Sequence, residues 1–86
     1  MRGSVVIIST KTHNGNGSDV LVEYTCSGQG YVSTGSSIRG SVWVTAPASA
    51  NDMRSAVKAN AAELLTEDCA ASGSNGTFAA ADIDII

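Results

Sequence analysis

The sequence has few charges, few aromatic side chains and few of the residues that most often carry catalysis. Its 86 residues include five Lys or Arg, eight Asp or Glu, one His and one Trp, and the formal net charge is −3. A protein that binds nucleic acid through counterion release needs clustered basic residues. Here the basic residues are scattered along the chain, so we predict that nucleic acid is not the main partner.

Long apolar runs are also missing. The apolar run at residues 5–8 is too short for the hydrophobic region of a signal peptide, and Ser9-Thr10-Lys11 follows it directly. No stretch has the ~20 apolar residues that a transmembrane helix requires. We therefore expect no secretion through a signal peptide and no membrane partner.

Cysteine is scarce, with Cys26 and Cys69 the only two. Two cysteines are too few to hold a secreted mini-domain together, and no CxxC spacing indicates a zinc site. We expect two buried thiols. A single disulfide that closes a long loop is the alternative, and it would require an oxidising compartment.

Apolar side chains are nevertheless spread along the whole chain, which predicts a single domain over residues 1–86. The β-branched run at 5–8 predicts a strand buried on both faces. Residues 20–26 and 38–46 alternate between apolar and polar side chains, which predicts two further strands, the first paired with residues 5–8 as an antiparallel hairpin. In the third strand Trp43 points away from the valines, so either both sheet faces are covered or Trp43 belongs to a contact surface.

A polar loop is predicted at 11–18, because this segment contains two Asn-Gly pairs, each a strong turn signal. The overlapping stretch NGNGSDVL, residues 14–21, resembles one unit of the glycine- and aspartate-rich nonapeptide that binds calcium in β-rolls. In that family calcium lies between successive turns, so tandem copies are needed. Only one copy is present here, and we predict a hairpin loop in which Asp19 caps the turn.

The second half predicts a helix followed by a last strand. Ser49 is suited to cap a helix over residues 50–70, and Gly73 to end it. The apolar strip of this helix is predicted from residues at helical spacing, which are Met53, Val57, Ala61 and Leu64, with Leu65 at the margin. Residues 77–86 form the last predicted strand. Because a frayed apolar end would aggregate, we expect Ile86 to be tied to the sheet or to a neighbouring copy.

Together these elements predict an α+β fold of two layers, in the order β-β-β-α-β. One helix covers one face of a mostly antiparallel sheet of four or five strands. The fifth strand depends on Tyr31-Val32, which lies in the Gly- and Ser-rich segment 27–37. That pair could form a short strand or belong to a loop.

Candidate catalytic groups are few. His13 lies in the predicted hairpin loop, where a solvated side chain is the favoured interpretation. Asp82 and Asp84 lie two residues apart on the last strand and could hold a metal, but outward charges that discourage edge pairing explain them better. We predict no catalytic, cofactor or metal site and no enzymatic activity. A small hydrolase or metal-dependent enzyme that uses His13 or Asp82 is the enzymatic alternative.

The stretch IRGSVWVTAPASANDMRSAVKANAAELL, residues 38–65, combines a Gly/Ser/Thr-rich strand, a Pro-Ala-Ser-Ala cap and an Ala-rich helix with Arg54 near its start. With the Ile-rich last strand, it resembles short virion components of tailed phages. The resemblance implies a capsid-decorating, head-completion or tail-accessory subunit. Such a subunit would form homo-oligomers or bind other structural proteins, in the virion or in the host cytoplasm.

Our leading prediction is therefore a non-enzymatic structural subunit that binds copies of itself or a larger assembly. The side chains predicted to make those contacts are Trp43, Arg54, Lys58, Glu63, Glu67 and Ile86. The alternative is a small acidic inhibitor that occupies a basic site on a host enzyme. It is motivated by the charge distribution, because residues 47–86 carry a net charge of −4 and residues 1–46 carry +1.

Overall fold

The computed structural model of the chain describes residues 1–13, 16–29, 37–45 and 49–86. In these residues a four-stranded sheet carries one long helix, so the predicted α+β fold and the order of its elements are confirmed. The elements are β1 (Gly3–His13), β2 (Asn16–Gly28), β3 (Ile38–Val44), α1 (Ala50–Ala71), a 3₁₀ turn (Ala80–Asp82) and β4 (Ile83–Ile85). Tyr31-Val32, the candidate for a fifth strand, lies outside the described residues.

The strands lie in the order β3-β2-β1-β4. β1 and β2 form the predicted antiparallel hairpin, and β3 pairs antiparallel with the other side of β2. β4 lies beside β1 and runs parallel to it, with Gly3 opposite Ile83 and Val5 opposite Ile85. The described sheet is therefore mixed, although mostly antiparallel as predicted. The parallel pair is possible because α1 lies in the long connection between β3 and β4.

The hairpin is longer than the sequence predicted. Residues 11–13 continue β1 and β2 begins at Asn16, so the predicted loop over residues 11–18 is wrong. Pairing of Lys11 with Leu21 and of Thr12 with Val20 extends the ladder through these polar residues. Asp19 consequently lies within β2 rather than in a loop, and His13 belongs to the end of β1.

A β-bulge interrupts β1 near its middle. Ile7 lies opposite Tyr24 and Ser9 lies opposite Glu23, so Ile8 is an extra residue in β1. A bulge places two residues of one strand against a single residue of the other, and it shifts the inward and outward alternation by one position. After the bulge, each side chain of β1 therefore lies on the sheet face opposite to the one it would occupy in a regular strand.

The core lies between α1 and one face of the sheet. Val5, Val22, Tyr24 and Ile83 are buried there, and each such apolar side chain contributes ~1.5–3 kcal/mol. Val6 and Ile8 in β1 are 48% and 49% exposed. The prediction that residues 5–8 are buried on both faces is therefore wrong, because α1 covers only one face of the described sheet.

Helix α1 begins and ends close to where the sequence predicted. The Ser49 side chain accepts a hydrogen bond from the backbone N–H of Asp52, and after Ala71 the chain turns at Gly73, whose φ is +85°. The buried strip is rotated from the predicted one. Its buried members are Val57, Ala61, Ala62, Leu65 and Cys69. Leu65 is fully buried, whereas Leu64 and Met53 are only partly buried, so the marginal place predicted for Leu65 is wrong.

The last strand is much shorter than residues 77–86. The backbone N–H of Phe78 donates to Thr66 Oγ1, and the Asp82 carboxylate accepts from the N–H of Ala79 to hold the 3₁₀ turn. This turn changes the phase of the chain, so Phe78 and Ile83 are both buried although a continuous strand would place them on opposite faces. β4 then carries the end of the chain along β1, where the Ile86 N–H donates to the carbonyl of Val5. The expectation that the end is tied to the sheet is confirmed for its backbone.

Both cysteines are buried and free. This confirms the expected pair of buried thiols and contradicts the single-disulfide alternative. Burial raises the pKa of the Cys26 thiol to about 11, because the low-dielectric core disfavours the thiolate. Cys26 is therefore protonated at neutral pH and has little reactivity as a nucleophile.

Candidate functional site

The sheet face that points away from α1 has no described element packed against it, and we call it the open face. Three rows of paired residues cross β1, β2 and β3 on this face. The rows are Lys11–Leu21–Trp43, Ser9–Glu23–Ser41 and Val6–Thr25–Arg39. The open face therefore has a charged centre with apolar side chains on either side of it.

Glu23 holds the centre of the open face. Its carboxylate accepts a hydrogen bond from Ser9 Oγ at 3.1 Å, and it forms ion pairs with Lys11 Nζ at 3.2 Å and Arg39 Nη2 at 3.1 Å. These contacts lower the pKa of Glu23, first through the hydrogen bond from Arg39 and then through Lys11 and Ser9. One carboxylate thus links three strands, and it leaves one unbalanced positive charge at the centre of the face.

The bulge in β1 builds this cluster. A regular strand would place Ser9 and Lys11 on the same face as Val5 and Ile7, which is covered by α1. The shift at Ile8 turns both side chains to the open face, where they reach Glu23. Nothing in the local sequence predicts this cluster, because the bulge has no local signal, and only the alternation of β2 indicates the face on which Glu23 lies.

Apolar side chains lie on both sides of the charged centre. Trp43 is 52% exposed, which confirms its predicted place on the face opposite the valines. Val6 and Ile8 are exposed to a similar extent, although the sequence predicted that both were buried. Val6 and Trp43 are thus exposed large apolar side chains in the rows of the open face, and the exposed Ile8 lies at the bulge between the rows of Val6 and Ser9.

A second feature lies at β3, the edge strand. A depression of about 370 Å³, which we call the edge pocket, is lined by Glu23, Arg39, Gly40, Ser41, Asn60 and Leu64. Glu23 and Arg39 belong to the open face, whereas Asn60 and Leu64 come from α1 on the other face. Because β3 is at the edge of the sheet, a single depression with these walls passes around that edge.

Gly40 shapes the edge pocket. A Cβ atom at this position would come within 2.6 Å of both Leu64 Cδ1 and the Tyr24 ring. Glycine therefore lets the Tyr24 ring and α1 approach β3 closely, and the Tyr24 hydroxyl donates a hydrogen bond to Asn60 Oδ1. Burial raises the pKa of Tyr24, so the phenol stays protonated and acts as a donor.

The structure divides the predicted interaction residues among separate places. Trp43 lies on the edge strand β3, and Ile86, 82% exposed, follows β4 at the opposite edge. Arg54, Lys58, Glu63 and Glu67 lie on α1, in the other layer of the molecule. Glu63 and Glu67 follow Arg54 by nine and thirteen positions. At 3.6 residues per turn these spacings place the acidic pair on a different side of the helix from Arg54 and Lys58.

The carboxylates considered for chemistry have contacts within the chain. Asp82 caps the 3₁₀ turn, and Asp84 forms a two-oxygen ion pair with Arg2 at 2.7 Å. Both carboxylates also raise the pKa of Arg2, Asp84 most strongly through its hydrogen bond, and the alternative of a paired-carboxylate site stays a prediction. Among the described residues, no three His, Cys, Asp or Glu side chains are grouped as metal ligands, and no described helix is long and apolar enough to span a membrane.

The chain matches no protein-family model, no curated protein and no solved structure.

Proposed function

We propose that this protein is a non-enzymatic subunit that binds copies of itself or other structural proteins in a larger assembly. The observation that carries the proposal is the open face, where Val6 and Trp43 are each about half exposed, together with the half-exposed Ile8 at the bulge of β1. On this face the exposed apolar side chains lie on both sides of the charged centre, and exposed apolar surface with polar surroundings is typical of protein interaction sites. Trp and Arg are also the residues most enriched among those that dominate binding energy.

The charged centre supports the same proposal. Glu23 is already paired with Lys11 and Arg39, so a partner that covers the open face would not bury an isolated carboxylate. Burying an uncompensated charge costs several kcal/mol, whereas a prepared ion-pair network reduces that cost. The ion pairs therefore reduce the cost of covering Glu23 with another protein, although one positive charge of the cluster stays unbalanced.

The assembly that the sequence resemblance implies is the virion of a tailed phage. In that setting the protein would decorate the capsid, complete the head or join the tail. Fractionation of particles from the source tests this part of the proposal: the chain should be present in purified virions in a fixed copy number. A chain recovered only in the particle-free fraction would contradict the virion assignment.

The assembly proposal is tested by sedimentation equilibrium of the purified chain over a wide concentration range. We expect masses above the 8.7 kDa of one chain at high concentration. The double variant Val6→Lys/Trp43→Lys should return the mass to that of the monomer, because it places two charges on the open face, one of them on the edge strand β3. The control Ser55→Lys/Ala59→Lys adds the same charge at exposed positions of α1 and should leave assembly unchanged.

A second candidate function is an acidic inhibitor of a host enzyme, which the exposed Glu63 and Glu67 favour. These residues lie one turn apart on α1 and present two negative charges to one side. This function would give a salt-sensitive heteromeric complex that Glu63→Gln/Glu67→Gln weakens and Val6→Lys/Trp43→Lys leaves intact. The two double variants therefore separate the two candidate functions.

A further inference from the structure

We infer that two copies of this chain join through β3, edge to edge and antiparallel, with Ser41 opposite Ser41 of the second copy. This inference rests on the proposed function and deepens it by naming the joint between subunits. β3 is seven residues long and, among the described strands, pairs only with β2. Edge strands are ready-made sites for adding a strand from another chain.

The two edges of the sheet differ in how they discourage such pairing. β4 has only three residues, and its neighbouring side chains carry the Arg2–Asp84 ion pair. Short strands and charges are the usual means of blocking an edge. β3 carries one charged residue, Arg39, and contains no proline. Among the described strands, β3 is therefore the edge better suited to pairing with a second copy.

The sequence of β3 is complementary to itself in one register. With Ser41 on the two-fold axis, all seven residues of each strand are paired. The resulting pairs are Ile38 with Val44, Arg39 with Trp43, Gly40 with Val42, and Ser41 with itself. Inward and outward positions match throughout, and no like charges lie opposite each other.

The outward pairs in this register join the charged centre to the exposed tryptophan. Arg39 of one copy lies across from Trp43 of the other, within the distance at which a guanidinium is attracted to an indole face. The side chain of Arg39 is 68% exposed and already bonded to Glu23 on one side, which leaves its plane accessible for stacking. The two-fold axis creates this contact twice.

The inward pairs account for the edge pocket. Val42 faces the α1 layer and is partly buried against the core. In the proposed register, Val42 of the second copy lies opposite Gly40, where no side chain extends beyond the strand. The edge pocket at Gly40, walled by Asn60 and Leu64, provides the space for that valine. The valine of the second copy would fill the part of the edge pocket beside Leu64, while the polar walls of the pocket stay in contact with solvent.

Disulfide trapping tests the register directly. Residues opposite each other in an antiparallel pair have Cα atoms ~4.5–5.5 Å apart, within the range that a disulfide spans. Under mild oxidation, Ser41→Cys should form a covalent dimer in high yield. The native cysteines are buried, so they do not compete.

Two further cysteine variants serve as register controls. Ser37 and Thr45 are exposed and flank β3. In the proposed register they lie opposite each other, so a mixture of Ser37→Cys and Thr45→Cys chains should form a mixed dimer. Thr45→Cys alone should not, because its two sulfur atoms would be roughly 27 Å apart at ~3.4 Å per residue.

The variant Ser41→Lys provides a test without cross-linking. It places two like charges on the axis and should weaken self-association by at least about tenfold. Ser41 is exposed, so the fold should be retained, and thermal melting checks this. Ser41→Thr is the matched control and should associate like the parent chain.

The outcomes separate this inference from the proposed function. A Ser41→Cys chain that forms no covalent dimer overturns the edge-to-edge joint. If that chain still sediments as an oligomer, the assembly function stands and a different surface makes the contact. If it sediments at 8.7 kDa at every concentration, self-association fails together with the joint.

Discussion

The two faces of the sheet are built from the same strands, but one face is buried under α1 and the other is exposed. On the covered face Val22 and Tyr24 are completely buried beneath α1. On the open face Leu21 and Glu23 alternate with them along β2, and the half-exposed Trp43 lies opposite Leu21. Because side chains alternate along each strand, the same strand stabilises the fold with one set of residues and presents a surface for binding with the other. Substitutions on the two faces should therefore separate stability from assembly.

The largest expected effect contrasts two leucines. Leu65→Ala removes a fully buried side chain of α1 and should lower the free energy of unfolding by ~2–5 kcal/mol. Leu21→Ala makes the same change on the open face and should cost about 1 kcal/mol or less. Urea denaturation at a concentration where the chain is monomeric measures both. Equal losses would show that the open face is covered within the monomer.

The next effect contrasts adjacent residues of β3. Gly40→Ala introduces a methyl group that meets Leu64 and the Tyr24 ring, and overpacking of this kind costs ~1–3 kcal/mol. Ser41→Ala, one residue further on and exposed, should change stability by less than about 0.5 kcal/mol. Thermal unfolding of the two variants decides the matter, and a neutral Gly40→Ala would refute the close approach at Gly40.

A smaller effect contrasts two hydroxyl groups in β2. Tyr24→Phe removes the hydrogen bond to Asn60 and should cost about 1 kcal/mol at neutral pH, whereas Thr25→Val on the open face should cost little. Burial raises the pKa of Tyr24 in the folded state, so its stabilising contribution is present below the unfolded pKa of about 10 and is lost as pH rises above it. The difference between parent and Tyr24→Phe should therefore narrow above about pH 10, and a constant difference would contradict it.

The smallest effect concerns acid stability of the open face. The pKa of Glu23 is lowered in the folded state, so its contribution is present above the unfolded pKa of about 4.3 and is lost as pH falls through the folded value. Glu23→Gln should flatten the fall in melting temperature below about pH 4.3. Glu67→Gln removes the same charge from α1 and serves as the control. A parent-like acid profile in Glu23→Gln would count against the cluster.

Local patterns were enough to predict much of the fold. The period of α1, its Ser49 cap and the alternation of β2 and β3 depend on neighbours along the chain, and all were predicted closely. The length of the hairpin was not, because cross-strand pairing overrides the turn preference of residues 11–13. Two phase changes, the bulge at Ile8 and the 3₁₀ turn before β4, also have no clear local signal.

Those phase changes explain why most of the candidate site was missed. Trp43 could be placed from alternation alone because β3 is regular. Ser9 and Lys11 could not, because the bulge reverses their direction. The edge pocket depends on Gly40 meeting Tyr24 and Leu64, which come from two other elements. Contacts of this kind require the tertiary structure.

The pairing of β1 with β4 has a consequence for synthesis of the protein. Gly3 pairs with Ile83, so the ribosome must add 80 more residues before the second side of β1 gains its neighbour. At ~5–20 residues per second this interval is roughly 4–16 s. Throughout it, the nascent hairpin presents an unfinished border with Val5 and Ile7 beside it. Rapid docking of the emerging helix, or a chaperone bound near the exit tunnel, would protect the nascent chain during that time.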